Sequence, residues 1–175
     1  MRKSIIAILM TFCLSIMTYA QTPRDRATEL KEQAQSSLNQ KDYIKARYLF
    51  KKAYEAFAAR ENYPQAIECG VQANALYVRE NFYKEGFELC RDMDQLIWAG
   101  EQNQKKVFYD LRFLVNKERL QMYTALKNPA QAKTQLNKLE ETANLAKNDS
   151  LTEVLLYTKA NYYYTFNQNT QGDAC

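Results

Sequence analysis

A short pattern of small and large apolar residues recurs along the 175 residues of this chain. It first appears where Ala46, Phe50 and Ala53 follow Tyr43 at spacings that put them on one face of a helix. Small residues take the place of Ala46 again after steps of 40, 46 and 40 residues, at Gly86, Ala132 and Gly172. Self-similarity at such intervals favours a stacked helical array, and a generic helical bundle is the alternative.

The rest of each repeat follows the same register with some departures. Cys90 and Leu136 take the position of Phe50 in the later repeats. A second crossing position lies twelve residues before each small residue, at Ala34, Asn74, Leu120 and Ala160. Small side chains there would let the two helices of a pair approach closely. The second repeat fits only if the register slips by one residue to Ala73, and the third repeat departs from the pattern.

The composition and the residues that mark helix ends are those of a helical protein. The chain contains four Gly and three Pro, no alternating apolar strand pattern, and many Ala, Leu, Glu, Gln and Lys residues. Capping residues that precede proline or an acid indicate helix starts near Thr22, Asn62, Asn128 and Ser150. The sequence therefore predicts an all-α fold with helices over 23–39, 42–60, 63–80, 82–98, 103–126, 129–147 and 150–167, and an eighth that begins near Gln171.

The pattern around Tyr43 resembles the tetratricopeptide repeat. In that family the second helix of a pair carries Ala-x3-Phe, and the first helix has a small residue twelve positions before the alanine. Ala46, Phe50 and Ala34 supply these features here. The resemblance covers roughly residues 23–175 and implies antiparallel helix pairs stacked into a right-handed superhelix. The steps of 40 and 46 residues exceed the 34 residues typical of the family, which implies longer helices.

The resemblance also implies a working surface, because the first helix of each pair lines the concave wall of such a superhelix. Groove-facing positions lie three before, one after and four after the small residue of that helix. Carried onto this chain, they are Lys31, Gln35, Leu38, Asn74, Tyr77, Lys117, Gln121, Thr124, Tyr157, Asn161 and Tyr164. Amides can bond to the backbone of an extended peptide, tyrosines offer stiff contacts, and lysines can meet a carboxylate. The alternative is that these are ordinary solvated positions on helix surfaces.

The first 20 residues have the pattern of a secretory signal peptide. Two basic residues precede an apolar run over 5–17, and Thr18 and Ala20 suit cleavage before Gln21. The run has 13 residues and is shorter than a membrane-spanning helix, so an uncleaved anchor is the alternative. This pattern predicts a mature helical-repeat domain over 21–175 in a secreted or periplasmic location.

The charge of the mature chain gives no reason to expect a nucleic-acid partner. The formal net charge of +4 falls to +2 when Arg2 and Lys3 are removed with the signal peptide, and no basic block interrupts the mixed pattern. The parts of a catalytic site are also missing, since the chain has no histidine, no Gly-rich phosphate loop and no Cys-x2-Cys pair. We therefore expect no enzyme activity, no cofactor and no metal site in these residues.

Three cysteines remain in the mature chain. Cys69 and Cys90 occupy apolar positions of two helices that are predicted to be adjacent and antiparallel. We expect them to be buried and free, because a free cysteine packs as a small apolar residue. A disulfide between them is the alternative.

Two functions are consistent with these patterns. The first is an exported, non-catalytic module whose groove binds a peptide or a partner protein. The second is the extracytoplasmic sensory input domain of a larger membrane signalling protein, a histidine kinase or a transcriptional regulator. The chain resembles the leading part of such regulators, and it stops at Cys175 inside a fourth repeat. In that case a membrane helix would follow, and the exposed last repeat would favour self-association.

Overall fold

The computed structural model describes residues 25–175, which form eight helices joined by short turns. In chain order they are α1 (Arg26–Asn39), α2 (Tyr43–Ala58), α3 (Tyr63–Arg79), α4 (Tyr83–Gln104), α5 (Tyr109–Ala125), α6 (Pro129–Ala146), α7 (Asp149–Thr165) and α8 (Asn169–Asp173). No strand occurs in this range, so the predicted all-α fold class is confirmed. None of the helices in residues 25–175 is both long and apolar enough to cross a membrane.

The helices stack in two rows. Each helix packs against the next one along the chain, and the short turns make successive helices antiparallel. In addition, α3 packs against α5 and α5 packs against α7, whereas the even-numbered helices of the described range make no comparable contact with one another. Helices α3, α5 and α7 therefore form an inner row, to which Lys31 joins α1 through Gln65 and Glu68, and the even-numbered helices form an outer row. This arrangement is a helical-repeat superhelix.

The recurring small residues lie where two helices cross closely. Four of them, Ala46, Gly86, Ala132 and Gly172, are all buried. A Cβ atom added at Gly86 would lie 2.8 Å from Met122 Sδ, and one added at Gly172 would lie 2.8 Å from the ring of Tyr164. The apolar residues four positions later in the same register, Phe50, Cys90 and Leu136, are buried as well. Burial thus confirms the repeat register, because close packing leaves no room for larger side chains at the crossings.

The register needs no slip in the second repeat. Asn74 is itself fully buried, and its side chain faces Gly86. A Cβ atom added at Gly86 would lie only 3.1 Å from Asn74 Oδ1. The predicted slip to Ala73 is therefore wrong. A glycine on the outer helix makes room for a polar side chain on the inner helix, so the small residue of this crossing is on α4 instead of α3.

The longer second step comes from α4. This helix has 22 residues and α2 has 16, and the difference of six residues accounts for a step of 46 in place of 40. The predicted helix end at residue 98 is wrong, because α4 continues to Gln104. Gly100 lies within the helix, and the ring of Phe108 packs against it. The buried Glu101 carboxylate then accepts hydrogen bonds from the Phe108 backbone N–H at 2.8 Å and from Arg112 Nε at 2.7 Å. This contact fixes the start of α5, and the hydrogen bond from Arg112 lowers the pKa of Glu101.

Each turn between the eight described helices contains one residue with a positive φ, between 51° and 63°. These residues are Lys41, Glu61, Asn81, Lys105, Lys127, Lys147 and Asn167. In four of the turns the residue after the positive-φ residue is an Asp or Asn, and its side chain caps the next helix. Asn128 Oδ1, for example, accepts a hydrogen bond from Gln131 N at 3.1 Å. Asn148 caps α7 by accepting from Ser150 N at 3.0 Å, so the prediction of Ser150 as the cap is wrong. The repeated turn is a second structural period that the sequence pattern did not reveal.

We expect the substitution Lys147→Gly to raise the free energy of unfolding by about 1 kcal/mol, because glycine adopts the left-handed conformation without a steric penalty. Lys147 is exposed and has a φ of 51° at the end of α6. The matched control is Lys138→Gly at an exposed position inside α6, which should lower the same quantity by about 1 kcal/mol. Urea denaturation followed by circular dichroism measures both changes. A destabilised Lys147→Gly variant would contradict this account of the turns.

Cys69 and Cys90 are buried and free, as predicted. Burial raises the pKa of the Cys69 thiol to about 11 and that of the Cys90 thiol to about 12. A thiol that stays protonated is a poor nucleophile, so both cysteines are inert members of the core.

The predicted signal peptide over 1–20 and the predicted helix cap at Thr22 lie outside the described residues. Helix α1 begins at Arg26, and its cap is Asp25, whose Oδ1 accepts a hydrogen bond from Ala27 N at 3.1 Å. The last helix, α8, begins at Asn169, slightly earlier than the predicted start near Gln171.

Candidate ligand-binding groove

A groove with a volume of about 370 Å³ lies on the inner row between α5 and α7. One side comes from α5 and the turn after it, at Lys117, Leu120, Gln121, Thr124, Ala125 and Lys127. The other side comes from α7, at Val154, Tyr157, Thr158, Asn161, Tyr162 and Thr165. The members of each set recur about every three or four residues, so each set is one face of its helix. The groove is therefore built from facing stripes on two inner helices.

Five of the eleven residues predicted for the concave wall line this groove. They are Lys117, Gln121, Thr124, Tyr157 and Asn161. Tyr157 has 72% of its surface exposed, and Gln121 and Asn161 are exposed as well. The groove thus offers an aromatic ring and two amide groups to a ligand, and this chemistry suits the backbone of an extended peptide.

The groove carries positive charge. Lys117 and Lys127 are among its lining residues, which include no Asp or Glu. Within residues 25–175, neither lysine forms an ion pair. The neighbouring Glu118 is buried in the core, where desolvation raises its pKa. We therefore expect the groove to attract groups that carry negative charge.

The floor of the groove is largely apolar, because Leu120 and Tyr162 are buried beneath it. Two hydroxyl groups of α7 already donate within their own helix. Thr158 Oγ1 donates to the carbonyl of Val154 at 2.7 Å, and Thr165 Oγ1 donates to the carbonyl of Asn161 at 2.8 Å. The donors available to a ligand therefore include the lysines, the amides and the hydroxyl of Tyr157.

Six of the predicted residues lie outside the groove, and three of these are on α1. Lys31 Nζ lies 2.8 Å from Gln65 Oε1 and 2.7 Å from Glu68 Oε2, so this side chain joins α1 to α3. Gln35 is exposed, and Leu38 is half-buried against the core. The structure brings none of these three residues together with α5 or α7.

The other three have partners within the protein. Asn74 is fully buried and cannot contact a ligand, and its Nδ2 donates to Glu118 Oε2 at 3.1 Å. Tyr77 is half-buried beside Arg47, whose guanidinium carbon lies 4.8 Å from the ring centroid. Tyr164 lies against α8. The predicted assignment of Asn74 to an accessible groove surface is therefore wrong, because this residue occupies a helix crossing.

Seven of the twelve lining residues were not predicted to face a ligand, and Val154, Thr158 and Lys127 are among them. Val154 and Thr158 share a helix face with Tyr157 and Asn161, so helical spacing would have been enough to find them. Lys127 lies in the turn after α5, and its position depends on a left-handed backbone conformation with a φ of 52°. No feature of the sequence indicates that conformation for a lysine.

A second concavity of about 480 Å³ lies between α4, α5 and α6. Trp98, the only tryptophan, is exposed among its lining residues, which also include Arg112 and Arg119. Both arginines are ion-paired, Arg112 with Glu101 and Arg119 with Asp94. The two arginines of this concavity are thus neutralised by the protein itself, in contrast to the lysines of the inner groove.

The described residues, 25–175, contain no group of three or more Cys, Asp or Glu side chains placed to hold a metal ion. The fold defines the chain as an all-α helical-repeat protein. Comparison with protein-family models, with curated proteins and with solved structures finds no match. The class therefore follows from the architecture alone.

Proposed function

We propose that this chain is a tetratricopeptide-like, non-catalytic binding module that holds an extended peptide segment in the groove between α5 and α7. One observation carries the proposal: two inner helices and the turn after α5 bring an exposed tyrosine, two amides and two lysines to one groove without a lining carboxylate. The ligand is an acidic segment of a partner protein. The module acts outside the cytoplasm, and the support for this location is the signal-peptide pattern of the first 20 residues.

The size of the groove suits a short extended segment. A helix rises about 1.5 Å per residue, so the stripe from Lys117 to Lys127 is about 15 Å long. An extended chain covers about 3.4 Å per residue, and about five residues of a peptide would span the stripe. A lysine at each end could then meet an acidic side chain while the amides bond to the peptide backbone.

Support for the tetratricopeptide-like assignment comes from the first helix pair and from the two-row stacking. Ala34, Ala46 and Phe50 are all buried, as the resemblance implies. The first helix of each pair lies on the inner row, which is the row that forms the binding wall in that family. The steps of 40 and 46 residues are longer than the family's typical 34 and correspond to long helices such as α4.

Selection from a random peptide library displayed on phage, with the purified chain immobilised, should enrich acidic peptides. The strongest peptide would then be synthesised and its dissociation constant measured by calorimetry. We expect the triple variant Gln121→Ala/Tyr157→Ala/Asn161→Ala to weaken binding at least about 30-fold, because an exposed tyrosine that becomes buried by a ligand contributes about 2 kcal/mol.

The matched control replaces the same three residue types outside the groove, at exposed positions: Gln131→Ala, Tyr48→Ala and Asn137→Ala. This variant should bind the peptide as tightly as the original chain, and both variants should keep the original melting temperature. An equal loss of affinity in the two variants would exclude the groove as the binding site, and failure to enrich acidic peptides would exclude the proposed ligand.

A further inference from the structure

The outer helix α2 has a cationic face that also exposes two large apolar residues. Ile44 and Tyr48 are 68% and 61% exposed, and they lie about one helical turn apart. Four exposed lysines surround them, Lys41, Lys45, Lys51 and Lys52. The residues of this face that lie on α2, from Ile44 to Glu55, occupy an arc of about 120° around the helix axis, and Lys41 lies in the turn before the helix. Four lysines and one glutamate give this face a net charge of +3.

The other long outer helices have no comparable face. Each of the seven residues of this face has an equivalent 40 residues later in the repeat of α4 and another 86 residues later in the repeat of α6. All of these equivalent residues are exposed. On α4 they include two bases and three acids, and at α6 they include two bases and one acid. Neither set contains an aromatic or a large aliphatic residue. The repeat requires only that these positions be exposed, so the cationic and apolar composition is a property of α2 and not of the fold.

The cations of this face differ from the arginine at its edge. Arg47 forms an ion pair with Glu80, and its guanidinium lies over the ring of Tyr77, so its charge is used within the protein. Lys52 pairs with Glu55 at 2.8 Å. The remaining lysines, Lys41, Lys45 and Lys51, form no ion pair with any residue of the described range. Their charge is available to an external anion.

We propose that this face of α2 docks on the surface of an anionic phospholipid bilayer. Ile44 and Tyr48 would enter the headgroup region, where aliphatic and aromatic side chains are stabilised, and the lysines would meet the lipid phosphates. The charge of the face is complementary to such a surface. The face is the outward side of an outer helix, and most of its residues also line an open depression of about 390 Å³ that Arg47 and Tyr77 complete.

A vesicle-binding experiment with the purified chain tests the proposal. Vesicles of phosphatidylcholine with about 30% phosphatidylglycerol are compared with vesicles of phosphatidylcholine alone at an ionic strength of about 0.1 M. We expect the chain to sediment with the anionic vesicles only, and to be released when the ionic strength is raised to about 0.5 M. The double substitution Lys45→Gln/Lys51→Gln should lower the partition coefficient about 25-fold, since each lysine near such a surface contributes about fivefold.

The matched control is Lys84→Gln/Arg91→Gln, which removes the same charge from two exposed bases on the corresponding face of α4. It should change the partition coefficient less than about threefold, because these bases lie among acids. The variant Ile44→Ser/Tyr48→Ser should bind about tenfold more weakly at unchanged charge. All variants alter exposed residues and should keep the original melting temperature. The proposal would be overturned if the chain failed to bind anionic vesicles, bound both vesicle types equally, or lost as much binding in the α4 control. If the chain retained polyglutamate but bound no vesicles, the partner of this face would be an acidic protein instead.

Discussion

Replacement of Phe50 by alanine is expected to lower the free energy of unfolding by about 4 kcal/mol. Phe50 is 1% exposed and belongs to the apolar core that α1 to α5 share. The substitution would remove most of a large aromatic side chain and leave a cavity, because close-packed neighbours relax only in part. Urea denaturation at neutral pH measures the change, and a small domain that loses this much is close to unfolding at moderate temperature.

Tyr48→Ala is the matched control, since it removes an aromatic ring two residues away on the same helix. Tyr48 is exposed, so we expect a change within about 0.5 kcal/mol. Equal losses in the two variants would show that the helix faces are assigned wrongly. A small loss at Phe50 would show that this residue is not part of a packed helix crossing.

The substitution Asn74→Ala is expected to lower the free energy of unfolding by about 3 kcal/mol at neutral pH. Asn74 Nδ2 donates a hydrogen bond to Glu118 Oε2 at 3.1 Å, and both side chains are buried. Removal of the amide would leave a buried carboxylate without this donor, which is far less favourable than loss of a solvated contact. Asn161→Ala, at an exposed position of the groove, is the control and should be nearly neutral.

The same pair predicts a pH dependence of stability. Burial raises the pKa of Glu118, and the hydrogen bond from Asn74 opposes this shift. The folded state therefore binds the proton more tightly than the unfolded state, whose pKa is about 4.3. The stabilising contribution of the protonated carboxyl is fully present below about pH 4 and is lost as the pH rises through the folded-state pKa.

Glu118→Gln tests this dependence, because an amide stays neutral over the whole range. The difference in unfolding free energy between Glu118→Gln and the original chain should grow in favour of the variant as the pH rises from about 4. The penalty of Asn74→Ala should be smaller at about pH 4 than at neutral pH, since a neutral carboxyl needs its donor less. Two stability curves that run parallel from acid to neutral pH would contradict the assignment of a raised pKa to Glu118.

Helix positions were predictable because each depends on a few neighbouring residues. Asn62 and Asn128 cap α3 and α6 with prolines in the first turn, as the sequence indicated. The main error was at the end of α4, where the sequence predicted an end at residue 98 and the helix continues to Gln104. Glycine usually destabilises a helix interior. At Gly100 the missing side chain lets the ring of Phe108 approach the helix, so a tertiary contact overrides the local preference.

Groove residues were predictable only in part. On α5 and α7 five of the six predicted positions line the groove, and Gln121 and Tyr157 are exposed on its two sides. On α3 the prediction placed Asn74 on the groove wall, because the resemblance implies a groove-facing position one residue after the small residue at Ala73. Asn74 is buried instead, because Gly86 leaves space for it and Glu118 provides an acceptor. Neither partner is close to Asn74 in sequence.

Local sequence was sufficient for the helical class, for most helix starts and for the repeat register from Ala46 to Gly172, because capping, helix propensity and face periodicity act within about one turn. The packing of distant helices decided the rest. It placed Asn74 against Glu118, set the left-handed turn at Lys127, and brought α5 and α7 together with α6 between them in the chain. These outcomes depend on which surfaces meet in space, and a side chain becomes buried or accessible only when its neighbours from other helices are in place.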